Sequence, residues 1–209
     1  MPRPSTHGHT GLQLKVRSDP LIPVAVSARH VHLSQATLDR LFGPGYVLRA
    51  RGPLSQPGQF AALESVTLSG PRGRLEHVRV LGPPRLADQV EISFTDERHL
   101  GIDAPLRLSG DLSGTPGVTL EGPKGRVALP NGVVCALRHI HMSPADAEEF
   151  GVTDHEVVQV EVESTGRSVV FGNVVIRISP DYRLELHLDT DEGNAAGVGP
   201  ETRARLVRP

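Results

Sequence analysis

Two stretches of this chain run almost without a break through apolar and β-branched residues and end on the same polar signature. Residues 21–33, "LIPVAVSARHVHL", and 132–142, "GVVCALRHIHM", each predict a strand. Behind each, the period changes. "SQATLDRLFG" offers Ser34 as N-cap, Leu38, Leu41 and Phe42 on one face, and Gly43 as terminator, which predicts a short helix. "SPADAEEFG" repeats the order, with Ser143 as N-cap, Pro144 at the first helical position, acids in the first turn and Gly151 at the end. A unit of strand, His-x-His and capped helix is therefore written twice.

A second repeat lies between the two. "VTLSGPRGR" (66–74) and "VTLEGPKGR" (118–126) differ only where Ser69 and Arg72 of the first become Glu121 and Lys124 of the second. Apolar runs follow both, "LEHVRVLG" and "VALPNGVV", so the Gly-Pro-x-Gly centre predicts a tight reversal between strands. A phosphate-cradling glycine loop is the rival reading, and it lacks the following helix that would supply a dipole. "VVQVEVESTGRSVVFGNVVIRIS" (157–179) and "YRLELHLDTDE" (182–192) alternate as strands. The expected fold is mainly β, two small β-barrel domains with short capping helices. Residues 1–18 read as a loose arm, and their "HGH" (His7–His9) lacks the rigid frame that a site needs.

Composition narrows the function classes. The 209 residues are 38% hydrophobic and 22% charged, with a net charge of -2, which suits a soluble globular protein. Neither a basic field nor a set of stacking aromatics is present for nucleic acid; aromatics are 3%. No run approaches the roughly 20 apolar residues of a membrane span, and no apolar signal segment opens the chain, so the cytoplasm is the expected compartment. Cys135 is the single cysteine, which leaves no partner for an intrachain disulfide. Its setting, "GVVCALRH", reads as a small buried hydrophobe and not a nucleophile.

The histidines carry the chemistry. Residues i and i+2 of a strand share a face, roughly 6–7 Å apart, so two imidazoles can converge on one metal ion. His30 with His32 is one such pair and His139 with His141 the other. A third ligand is expected for each. His187 in "ELHLDTDEGNA" and Glu91 in "QVEIS" are the candidates; a solvent-facing strand residue is the rival reading of Glu91. Three ligands per ion would leave a coordination position open, as in catalytic zinc. His77, His99 and His155 lie among polar or turn residues and take no role.

"SARHVHLS", "GPLSQPGQFA", "LGPPRLADQVEIS", "LRHIHMS" and "LHLDTDEGNA" resemble the phosphate propanoyltransferases of the propanediol-utilisation type, in that family's order, from residue 22 to about 198. The resemblance implies interconversion of acyl phosphate plus coenzyme A with acyl-CoA plus phosphate, acetyl and propanoyl being the acyl groups considered. It implies two Zn2+ per chain, held between two β-barrels, the first by His30, His32 and Glu91 and the second by His139, His141 and His187. It makes Arg85 the phosphate-binding arginine and Ser109 a phosphate-side serine. It places Gln56, Pro57 and Gly58 in a lid segment over the substrates. The implied division is residues 29–136 for one barrel, with the lid at about 43–63, and residues 19–28 plus 137–209 for the other, the first strand pairing into the second barrel. Coenzyme A, acyl phosphate and phosphate are the expected partners, and the family allows a homodimer. Some members reach bacterial microcompartments through an N-terminal extension, but "GLQLKV" is too sparsely apolar for a targeting helix. A dinuclear zinc hydrolase acting on a small ester or phosphate, or a non-catalytic metal-binding module, is the alternative class; a requirement for coenzyme A separates them.

Overall fold

The computed structural model describes residues 20–164 and 166–207, so the His7–His9 pair lies outside the described residues. In chain order the first half contains β1 (Ile22–Val26), β2 (His30–His32), α1 (Gln35–Phe42), β3 (Ala50–Pro53), β4 (Phe60–Ser69), β5 (Arg74–Gly82), β6 (Gln89–Ile92), α2 (Phe94–Leu100) and β7 (Leu106–Arg107). There follow β8 (Val118–Glu121), β9 (Arg126–Leu129), β10 (Val133–Ala136), β11 (His139–Met142), α3 (Pro144–Phe150) and β12 (Val157–Glu163). The chain ends with β13 (Val169–Ile178), β14 (Glu185–Leu188), α4 (Thr190–Ala196) and β15 (Arg203–Leu206).

The fold is mainly β. Six strands close a barrel in the order β1-β14-β11-β13-β12-β15, around Ile22, Ile140, Phe150, Ile176 and Leu186. The other nine form one sheet, β7-β10-β6-β2-β5-β4-β8-β9 with β3 beside β4, around Leu33, Leu38, Leu68, Val80 and Leu120. Among the described residues, no helix is long and apolar enough to cross a membrane.

Three expected strands are split or shortened. Residues 21–33 are split: β1 lies in the barrel and β2 in the sheet, because the chain crosses between them at Ser27–Arg29. The second copy crosses the other way, from β10 in the sheet to β11 in the barrel, at Leu137–Arg138. The strand expected over 182–192 stops at Leu188, since Asp189 caps α4 and the acids after it form the helix's first turn.

The twinned Gly-Pro-x-Gly segments are hairpin turns, β4–β5 and β8–β9, and β4 pairs with β8. Their tips also finish two helices. The Arg72 N–H donates to the Leu100 carbonyl of α2 at 3.0 Å, and the Lys124 N–H to the Leu41 carbonyl of α1 at 2.9 Å, meeting acceptors that a helix end leaves open. Glycine is required for that approach: a Cβ at Gly70 would sit 2.4 Å from the Leu100 oxygen, and one at Gly122 2.6 Å from that of Leu41.

Candidate metal centres and the cavity they line

Strand alternation decides where each histidine points. Val31 and Ile140 are fully buried in the two cores, so His30 with His32 and His139 with His141 face the opposite way. Both pairs then receive a third residue at the same register. β2 runs antiparallel to β6 with His30 opposite Glu91, and β11 runs antiparallel to β14 with His139 opposite His187. Within each triad, one ligand atom per residue lies within 4.8 Å of the others.

The paired arginines explain themselves at the next level. Two residues past Glu91, Ser93 caps α2; two past His187, Asp189 caps α4; each helix closes a capping box with the acid at its third position. Arg29, at the first crossover, grips that acid in α2: Nε is 2.9 Å from Asp96 Oδ2 and Nη2 2.8 Å from Oδ1. Arg138, at the second crossover, donates from Nε to Glu192 of α4 at 2.6 Å. Each arginine thus ties the backbone ahead of a His-x-His to the end of the strand that brings the third residue.

The triads have the chemistry of a metal site. His30 Nδ1 donates to the Ala28 carbonyl at 2.9 Å and His139 Nδ1 to that of Leu137 at 2.7 Å, which fixes the tautomer and leaves Nε2 with its lone pair. Both ring nitrogens of His141 are buried without a hydrogen-bond partner, an arrangement that disfavours the bare imidazole and suits a ligated one. Burial, reinforced by neighbouring positive groups, lowers His32 to about 3, His139 to about 4 and His141 to about 2, so these rings stay neutral and able to ligate. Burial alone would raise Glu91, but His30 and then His32 outweigh it and hold the carboxyl well below the usual range. His30 moves up in return, burial being overcome by the Glu91 charge.

Both triads line one cavity of about 480 Å³, together with Arg85 and Ser109. Arg85 Nη1 lies 3.4 Å from Ser109 Oγ, which also accepts from Gln89 Nε2 at 2.9 Å. With two donors on its oxygen, the Ser109 hydroxyl proton is free for an incoming acceptor. The Gln89 side chain also donates to Glu91 Oε1 at 2.5 Å and accepts from the Gly110 N–H at 2.9 Å. Gln56 reaches the cavity, but its amide is committed to Arg183 and Glu185; exposed Pro57 and Gly58 stand outside the lining. Cys135 is buried, donates to Glu97 Oε2 at 3.6 Å, and has its thiol pushed up to about 12 by burial and by Glu97.

Sequence reasoning passed over Gln89, Arg177, Tyr182 and Glu185. Arg177 stands beside His141 in the register of β11 and β13 and lines the cavity. The Tyr182 ring stacks on His141 with centroids 4.2 Å apart. Two of the four were within reach: Gln89 and Glu185 each precede a triad residue by two positions, hence share its face of the strand.

Comparison with known proteins gives one answer. The family profile described as Phosphate propanoyltransferase matches residues 23–199. The chain is 55% identical over 187 residues to the phosphate propanoyltransferase of Shewanella putrefaciens, covering 89% of this chain and 88% of that protein. It is 54% identical over 189 residues to that of Salmonella typhimurium, covering 90% of each. With the Thermotoga maritima protein of the same name it shares 54% over 181 residues, covering 87% of this chain and 86% of the other.

Proposed function

The chain belongs to the phosphate propanoyltransferase family of acyltransferases, and from that premise we propose that it interconverts acyl phosphate plus coenzyme A with acyl-CoA plus phosphate by direct transfer. The observation that carries the reading is the convergence of two ligand triads and a phosphate-sized pair of polar groups, Arg85 and Ser109, on one cavity. Zinc-class cations held by His30, His32 and Glu91 and by His139, His141 and His187 would supply Lewis acidity toward a thiol and a carbonyl oxygen.

The chain's own residues account for the rest. Arg85 offers a planar fork to the phosphate, and Ser109 donates its hydroxyl proton to another phosphate oxygen. Arg177, on the same cavity, adds a second positive charge for a dianionic group. Burial holds Glu91 and the His-x-His pairs in place, so little reorganisation accompanies the transfer. An acyl-enzyme on Cys135 has no support: that thiol is buried and held protonated. The thiolate is coenzyme A's, the leaving group is phosphate, and the acyl carbon exchanges its oxygen bond for a sulfur bond.

A coupled thioester assay with acetyl, propanoyl and butanoyl phosphates tests this. Thioester should form with release of one phosphate, and only when coenzyme A is present. Phosphate release at the same rate without coenzyme A would instead favour a dinuclear hydrolase. Acetyl and propanoyl differ by one methylene, worth about 1–3 kcal/mol in a pocket, so a preference of roughly 10- to 200-fold is the largest expected between them.

A further inference from the structure

We propose that Glu185 is a positioning residue that joins the segment 54–59 to the second triad, so that ordering of this segment and metal binding at His139, His141 and His187 are coupled. The proposal rests on reading that triad as a metal site.

One carboxylate oxygen makes the connection. Glu185 Oε2 lies 2.6 Å from His187 Nε2, accepts from Ser55 Oγ at 2.5 Å and lies 3.3 Å from Gln56 Nε2. A carboxylate can only accept, so the His187 proton sits on Nε2 and the lone pair on Nδ1. As a ligand, His187 would therefore offer the opposite nitrogen from His30 and His139, whose Nδ1 protons go to backbone carbonyls. The sequence accommodates this difference through Glu185, which shares the cavity-side face of β14 with His187.

The other end of the connection is the segment between β3 and β4. Ser55, Pro57 and Gly58 are exposed, whereas Gln56 is 3% exposed and spends its amide on β14's approach: Nε2 donates to the Arg183 carbonyl at 3.1 Å and Oε1 accepts from the Arg183 N–H at 3.2 Å. Leu54, Ser55, Gln56 and Gln59 all border the cavity that holds Arg85. Its own turn is closed by the Leu54 N–H to the Gln59 carbonyl and the Gln59 N–H to the Gln56 carbonyl, but its attachment to β14 is these few side-chain bonds, and Glu185 is shared between them and the triad. Fixing the His187 ring fixes the Glu185 carboxylate, and the carboxylate fixes Ser55. Reciprocity requires that loosening the segment weaken the metal by the same factor.

The test uses full-length protein loaded with zinc, as wild type, Glu185→Ala, Glu185→Gln and Ser55→Ala. Metal release to a competing chelator and backbone hydrogen exchange over 54–59 are measured on each. In wild type, exchange over 54–59 should rise when the metal at His139, His141 and His187 leaves, the site being identified by its absence from His139→Ala. Glu185→Ala should weaken one of two equivalents by about 10- to 100-fold and exchange fast in that segment with or without metal. Glu185→Gln, which keeps an acceptor oxygen, should fall between. Ser55→Ala should loosen the segment and weaken the same equivalent by a smaller factor, which a merely structural role for Glu185 would not produce. A folded Glu185→Ala protein with wild-type release and wild-type exchange overturns the coupling alone. A wild type that holds no metal at the second triad overturns the metal reading and the coupling with it.

Discussion

Arg138 donates through Nε to Glu192 at 2.6 Å, and so fastens the crossover ahead of His139 to the helix that follows His187. The guanidinium also donates to the Gly172 carbonyl at 2.9 Å and lies over the Phe171 ring. The arginine of each repeat is thus a structural clamp on the triad's frame. Replacing Arg138 with Met keeps most of the apolar stem and removes the donors, leaving a partly buried Glu192 carboxylate short of its partner. Metal-free Arg138→Met should lose about 1–3 kcal/mol of stability by urea titration. A stability equal to wild type would mean the clamp contributes nothing.

Cys135 should be chemically silent. With its thiol pushed up to about 12, it stays protonated at pH 8.5, where an ordinary thiol near 8.5 is about half ionised. The sign follows: stability linked to this group is whole below about pH 8.5 and is lost as pH rises toward 12. A disulfide reagent at pH 8.5 should react slowly with native protein and quickly in urea, and Cys135→Ala should turn over nearly as wild type. A folded, metal-loaded Cys135→Ala protein without activity would restore a covalent thioester route.

The strand and helix periods made the β class, both His-x-His pairs and two of the four helices legible. Legibility failed where local pattern and topology part company. The apolar runs around His30 and His139 continue through points at which the chain changes sheet, because a crossover between two packed cores keeps apolar residues on both sides of it. The missed helices, α2 and α4, have seven residues each, as α3 does, but neither belongs to the repeated His-x-His unit that drew attention to α1 and α3; their capping boxes, Ser93 with Asp96 and Asp189 with Glu192, announce them. Pairing of Glu91 with His30 and of His187 with His139 is a matter of register between distant strands, which no local spacing records. The resemblance supplied that pairing where periodicity could not.

Arg85 should be the residue that separates phosphate from thioester recognition. It extends from the turn before β6 toward Ser109, inside the shared cavity. Arg85→Ala should cost about 2–4 kcal/mol of transition-state stabilisation, roughly 30- to 1000-fold in kcat/KM for acyl phosphate, with coenzyme A affinity little changed. Lysine should restore part of this, since an ammonium cannot reproduce the fork. Steady-state kinetics in both directions, on protein of checked metal content, would measure it. Unchanged acyl phosphate kinetics would assign the phosphate to another group, Arg177 first.

The central claim is that the duplicated His-x-His builds two metal centres that act together in one cavity. Elemental analysis and thioester turnover, measured side by side on wild type and His139→Ala, test it most directly. The account predicts about two equivalents of a zinc-class metal in active wild type, about one in His139→Ala, and turnover lost with the second equivalent. Wild-type protein that is fully active with one equivalent or none would contradict it.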